Sequence, residues 1–240
     1  MQSVLINLKR LEGNIIPYEY NYYLSIAIYS KLTYYQELVT KLHTKNQEGI
    51  HTFSNLISNN SKNAINGLDI EEAFVVLRSI DSSLIDYLRM GISLDSNLRV
   101  GDVKYRVISM KEDPVSPNWK KDIKFKSLSP VLVRDFKSKK KFVINGDEVG
   151  ENLTNVSKWV LENIYKLDET KIEDLKIEIA STKSKTVRIS NSKSKESITT
   201  AFQLEGSISG SPEAKSILYY KGLGSKTSMG LGCWRVINDR

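Results

Sequence analysis

Residues Gln2 to Glu12 place Val4, Ile6 and Leu8 on one side of a two-residue alternation, broken by Leu5 and Leu11, and predict a strand. Ile16-Pro17 ends it, because proline cannot donate into a ladder and restricts the residue before it. From Tyr18 to Leu42 apolar and aromatic residues recur at helical spacing (Tyr22, Tyr23, Ile26, Ala27, Tyr29), which predicts a helix. His51 to Ile57 and Ala73 to Ile80 then read as strands. Asp81 can accept the first free N–H groups of a short helix running to Met90, and Gly91 can end it. Leu98 to Met110 alternates again through Val100, Val103, Tyr105 and Val107. The resulting order, β-α-β-β-α-β, is the split βαβ or ferredoxin-like arrangement.

Pro114, Pro117 and the polar residues around them mark a linker, and a similar order follows it. Phe125 to Val133 reads as a strand, Phe142 to Ile144 as a short extended piece, and Glu151 to Tyr165 as a helix with Val156, Trp159, Val160 and Ile164 on one face. Leu175 to Ala180 and Thr186 to Ile189 predict a hairpin through a Ser/Lys-rich turn, and Ile198 to Ile208 a longer strand. Ser211-Pro212 opens a last helix to Tyr220, with an N-cap and a proline at the first position. Leu231 to Ile237 reads as a final strand. The expected class is α+β: two tandem ferredoxin-like (βαββαβ) domains, 1–113 and 125–240, joined by 114–124 and carrying a C-terminal glycine-rich loop.

Composition narrows the chemistry. With 40% hydrophobic and 26% charged residues the chain has the make-up of a soluble globular protein, and no apolar run approaches the roughly 20 residues that span a bilayer. A cytoplasmic protein with no membrane partner is expected. Cys233 is the only cysteine, and His43 and His51 the only histidines. These are too few for an internal disulfide, a thiolate zinc site or a histidine metal cluster, so neither metal nor cofactor is expected. The formal charge of +7 favours an anionic partner. The lysines gather in the linker and second half: Lys124 and Lys126 at the start of a strand, Lys139 and Lys140 in a loop, Lys185 and Arg188 around the Ser-rich hairpin. Ser and Thr interleave with them, as a phosphate-tracking surface requires; a solvated charged face is the plain alternative. The aromatic signature of single-strand-binding RNA domains is absent, so any RNA recognition should be electrostatic and shape-based.

Four of the 13 glycines fall in one loop, Gly222, Gly224, Gly230 and Gly232, with Ser225, Lys226, Thr227 and Ser228 among them. Such a run of N–H groups can hold phosphate oxygens; it can equally be a turn before the last strand. It is not a nucleotide P-loop, because Ser225 rather than glycine precedes Lys226 and a strand rather than a helix follows.

Taken together, three pieces resemble the CRISPR-associated endoribonucleases that cut repeat RNA, members of the repeat-associated RNA-binding superfamily. They are Ile16-Pro17-Tyr18 with Tyr22 to Leu32; His43 with His51-Thr-Phe-Ser54, then Phe125 to Val131; and the terminal glycine loop. The resemblance implies tandem ferredoxin-like domains, CRISPR repeat RNA as the partner beside other CRISPR effector subunits, and metal-independent attack of the RNA's 2′-hydroxyl on the adjacent phosphate. His43 stands at the family's histidine and Tyr29 at its helix tyrosine, with His51 a further catalytic candidate. Residues Gly222, Gly224, Ser225, Lys226, Thr227, Gly230 and Gly232, with the lysines and arginine named above, are then the RNA-binding set. A non-catalytic guide-RNA-binding subunit of the same superfamily is the alternative.

Two departures sharpen the expectation. Some members have a lysine where this chain has Gly49, leaving Lys41, Lys45 or a loop lysine to substitute. In one straight helix Tyr29 and His43 would lie roughly 21 Å apart. The helix must therefore break, near Thr33-Tyr34, for both to serve one phosphate.

Overall fold

The computed structural model describes residues 1–33, 49–138, 141–191 and 195–237; His43, Lys41, Lys45, Lys139 and Lys140 lie outside the described residues. The first sheet is built on β1 (Gln2–Glu12), whose Val4, Ile6 and Leu8 face the core. β6 (Glu72–Ser79) and β8 (Val103–Glu112) pair with β1 on either side, antiparallel. With β3 (His51–Phe53) and β7 (Asn97–Val100) the order is β3-β6-β1-β8-β7. Helix α1 (Asn21–Ser30) follows β1, and α2 (Ser82–Leu94) follows β6. Without the added β7 hairpin strand, this is the ferredoxin-like order, with the first strand at the centre. The Asp81 carboxylate accepts from Ser83 N–H and starts α2, as its position before the helix predicts.

The same connection recurs in the second half. β9 (Ile123–Ser127), α3 (Val149–Asn163), β10 (Lys176–Asn191), β11 (Lys195–Ser209), α4 (Pro212–Lys221) and β12 (Trp234–Val236) form a sheet of order β10-β11-β9-β12. Ser211 caps α4 by accepting from Ala214 N–H, with Pro212 behind it. Each half has its own core: Leu24, Ile28, Phe53, Leu77, Leu88 and Tyr105 in the first, Phe125, Leu161, Phe202, Leu218 and Trp234 in the second.

Several elements differ from the sequence expectation, each for a physical reason. The predicted hairpin through Thr182–Lys185 is one uninterrupted strand: β10 pairs with β11 from Lys176↔Ser209 to Asn191↔Lys195, with a bulge at Ile179/Ser181. Residues Ser181–Thr186 are exposed on both faces because β9 supports β11 only at Glu205–Ile208, so no alternation marks the strand there. β9 ends at Ser127; the chain then leaves the sheet, and Val131 and Leu132 form isolated bridges to Phe202 and Ser225. Gly91 does not end α2 but lies inside it, where a Cβ would fall closer than 3.0 Å to the Lys31 carbonyl. A further small sheet, β2 (Ile15–Ile16), β5 (Gly67–Asp69) and β4 (Lys62–Ala64), has no counterpart in the expected pattern.

Helix α1 ends at Ser30, where the Lys31 N–H bonds the Ile28 carbonyl and the Leu32 N–H bonds the Tyr29 carbonyl, so this helix stops one residue after Tyr29; residues 34–42 lie outside the described residues. The buried Lys31 side chain fixes this end by bonding Asp95 at 2.6 Å. That contact holds the Asp95 carboxyl down at about 2.

The two halves are bolted together by Arg78 of β6. Its buried guanidinium donates to the Trp234 carbonyl and to Ser3 Oγ, meets Asp113 at 3.5 Å and lies 3.7 Å over the Tyr219 ring. Breaking a buried charge network of this kind leaves an uncompensated partner. No helix among the described residues is long and apolar enough to cross a membrane.

Candidate active site

The glycine loop is packed, not free. Its four glycines are buried and all have positive φ, from +74° to +89°. A Cβ at Gly224 would strike the Leu132 carbonyl, at Gly230 the Phe53 ring, at Gly232 the Leu223 carbonyl, and at Gly222 the Thr52 side chain, each closer than 3.0 Å. These positions need glycine for its backbone conformation and for close approach to other protein atoms. Substituting any of the four should therefore cost stability, because their surroundings are protein.

What the loop does is close over the first domain. Thr52 Oγ1 donates to the Leu231 carbonyl at 3.0 Å and Asn21 Nδ2 to the Gly230 carbonyl at 3.3 Å; outside the loop, Asn55 N–H donates to the carbonyl of Leu128, just after β9, at 3.1 Å. Beneath the loop, the buried Lys221 ammonium lies 3.4 and 3.5 Å from the Gly222 and Gly224 carbonyls. Within it, Thr227–Met229 form one turn of 3-10 helix, entered through Lys226 at φ 59°. Lys226 is exposed, whereas Ser225 and Thr227 are buried.

That turn meets two sequence-predicted residues. Tyr29, half-buried on the last turn of α1, has its hydroxyl 3.5 Å from His51 Nε2, and the two rings pack edge to face with centroids 5.7 Å apart. The turn that carries Ser228 packs against both α1 and β3. Burial raises the Tyr29 hydroxyl's pKa, so the phenol is held protonated. Burial pushes His51 down to about 4, so its imidazole is neutral at physiological pH.

His51 is wholly buried on β3, and its Nδ1 has no hydrogen-bond partner among the described residues. With no exposed surface in this structure, His51 faces Tyr29 and not solvent. Gly49 explains the missing lysine: a side chain there would run into Thr227 Oγ1 and the Ser228 N–H. Cys233 is buried beside Arg78, and burial lifts its thiol to about 11, so it is no nucleophile.

The remaining basic residues occupy other surfaces. Lys124 and Lys126 take the solvent face of β9, alternating with Ile123, Phe125 and Ser127, and Lys126 pairs with Glu205. Lys185 is exposed and Arg188 half-buried on the long β10–β11 arm. Val187 and Ile189 of that arm pack with Leu231 and Met229, so the arm lies over the glycine loop. Among the described residues no group of three or more His, Cys, Asp or Glu could hold a metal ion.

Comparison with known proteins gives this arrangement a family. Residues 15–111 match the family model for the CRISPR-associated protein Cas6 N-terminal region, and residues 111–236 match that for the Cas6 C-terminal region. A Methanocaldococcus jannaschii protein named CRISPR-associated endoribonuclease Cas6 1 is 27% identical, covering 100% of this chain and 95% of that one. Two solved structures share the fold at TM-score 0.83. One, a Cas6-related protein from Pyrococcus furiosus, is 24% identical over 100% of this chain and 99% of that one. The other, described as an RAMP protein binding different RNA substrates, is 22% identical over 99% of this chain and 100% of that one. With both family models matched in order along a tandem ferredoxin-like fold, the chain belongs to the Cas6 family of CRISPR-associated proteins.

Proposed function

We propose that the protein is an endoribonuclease that cuts CRISPR precursor RNA within its repeats, without a metal ion, by attack of the 2′-hydroxyl on the neighbouring phosphate. The observation that carries this reading is the packing of α1, which bears Tyr29, against the glycine-loop turn of the second domain, in a fold of the Cas6 family. The endoribonuclease activity named for the Methanocaldococcus relative supports it.

The chemistry needs a base, an acid and positive charge. His43 is the candidate base: an imidazole of ordinary pKa near 6.5 takes the 2′-OH proton as the P–O2′ bond forms. The P–O5′ bond then breaks and a proton passes to the 5′ oxygen, leaving a 2′,3′-cyclic phosphate and a 5′-hydroxyl. Tyr29, held protonated by burial, can hydrogen-bond a phosphate oxygen or the leaving oxygen. Lys226, exposed at the mouth of the loop, is the cation suited to the extra negative charge of the transition state. Lys124, Lys126, Lys185 and Arg188 would track the RNA backbone away from the cut.

The test is cleavage of the host's own labelled repeat RNA in excess EDTA. Wild type should cut, and His43→Ala should slow single-turnover cleavage about 10²-fold or more while RNA affinity changes little. RNA bound tightly and left whole by wild type would instead identify a guide-RNA-binding subunit.

A further inference from the structure

We infer that the outer face of α1 is a stacking platform for unpaired bases of the RNA beside the cut, with Tyr22 as its principal residue; the inference rests on the RNA-cutting reading of this site above. Within α1 the buried residues Asn21, Leu24, Ser25, Ala27 and Ile28 mark one side. At about 100° per residue the opposite side has Ile26 at its centre, with Tyr22 and Tyr29 about 40° and 60° to one flank. Ile26 is 48% exposed, and both tyrosines are half-buried. The three form an apolar stripe that begins at the candidate active-site tyrosine and runs back along the helix for about 10 Å.

The stripe is rigid in the free protein. Tyr22 packs edge to face against Tyr23, with centroids 5.7 Å apart, and Tyr23 packs against the first core. Asn21 pins the start of the helix by donating to Asn55 Oδ1 at 2.8 Å and to the Gly230 carbonyl at 3.3 Å. The Lys31–Asp95 bond pins its end. Little side-chain freedom is then lost when a base lands on it.

Two features make RNA the occupant. The stripe is continuous with Tyr29, so a strand with its phosphate at that residue runs onto it in one direction. The turn packed against α1 is entered through exposed Lys226, which sets a cation for the RNA backbone near an aromatic surface for the bases. Cations along the backbone with aromatic rings under the bases hold single strands without sequence readout. A paired stem stacks its base faces on one another, so this face takes unpaired nucleotides. At about 3.4 Å per stacked nucleotide, the stripe serves positions within about three of the cut.

The experiment measures affinity against salt on the full chain. The RNAs are the host's repeat, with 2′-hydrogen just upstream of the mapped cut, and copies carrying one abasic nucleotide moved stepwise along it. Tyr22→Ala should weaken binding about 5- to 100-fold with an unchanged log–log salt slope, while Tyr22→Phe stays within about twofold of wild type. One abasic position within about three nucleotides of the cut should weaken wild type by a similar factor, yet cost Tyr22→Ala less than about twofold more. Should Tyr22→Ala fold poorly, Ile26→Ser, at an exposed position, should lose affinity at wild-type melting temperature.

Wild-type affinity for folded Tyr22→Ala or Ile26→Ser overturns the inference. So does an equal loss in Tyr22→Phe, which would assign the hydroxyl and not the ring, or an abasic penalty that is the same in both backgrounds at every position. A changed oligomeric state in Tyr22→Ala with unchanged RNA affinity would make this face a contact between copies of the chain, and overturns it too. Repeat RNA bound but never cut, with the Tyr22 and abasic effects still coupled, defeats the endoribonuclease reading and leaves the platform standing.

Discussion

Gly230→Ala asks what the glycine loop is for. Gly230 has φ +74°, a conformation that costs an L-residue about 1–2 kcal/mol. The added methyl would also meet Phe53 Cε2, Cζ and Cδ2, all closer than 3.0 Å. Phe53 is fully buried in the first core and cannot swing aside, so an overpacking cost of about 1–3 kcal/mol is expected as well. The combined loss, about 2–5 kcal/mol, corresponds to a melting temperature lower by roughly 4–20 °C for a chain of this size. The assay is thermal unfolding followed by far-UV circular dichroism, paired with RNA affinity as a function of salt below the transition. Affinity per folded molecule should stay near wild type, because the methyl points at protein and not at solvent. A melting temperature within about 1 °C of wild type together with weakened RNA binding would refute the reasoning and return the glycine to the RNA surface.

Other expectations follow from the same contacts. Lys226→Gly should leave stability unchanged or raise it by up to about 1 kcal/mol, since Lys226 is in the left-handed region, yet weaken RNA binding. Its log–log salt slope should flatten by about 0.7–0.9, and an unchanged slope would remove Lys226 from the phosphate contacts. His51 has a folded pKa near 4 against about 6.5 unfolded, so the unfolded chain gains a proton first as pH falls from 7. The native state should therefore lose up to about 3 kcal/mol between pH 6.5 and pH 4, a slope that His51→Asn should lack in urea titrations; parallel slopes would contradict the burial argument. Arg78→Ala should cost about 3–5 kcal/mol by stranding Asp113, whose side chain is 4% exposed. A urea midpoint unchanged by that substitution would show that Arg78 does not bolt the halves together.

Much of the fold is written locally. Val4, Ile6 and Leu8 mark β1 by alternation, and Asp81 and Ser211 mark helix starts by offering an oxygen to free N–H groups. What failed were positions whose residue type has two uses. Gly91 carries the signature of a helix stop, but it is required by the approach of the Lys31 carbonyl, which only tertiary packing reveals. Thr182–Lys185 resembles a turn because an arm with one neighbouring strand buries neither face. At the site, Tyr29 itself was implied by family likeness, while the packing of α1 against the second domain's loop and the burial of His51 were not legible. A histidine in a three-residue strand carries no mark of being covered by a loop about 180 positions away. Gly49 is the converse case: an apparent loss of a lysine becomes a space filled by Thr227 and Ser228.

The central claim is that the RNA supplies its own nucleophile. The most direct measurement is mass spectrometry of the fragments made from the host's repeat RNA in excess EDTA, beside a substrate with 2′-hydrogen at the nucleotide just upstream of the mapped cut. The account predicts a 2′,3′-cyclic phosphate and a 5′-hydroxyl from the native RNA and no cleavage of the 2′-deoxy substrate. Strict dependence on added divalent metal, a 3′-hydroxyl product, or cleavage of the 2′-deoxy substrate would contradict it.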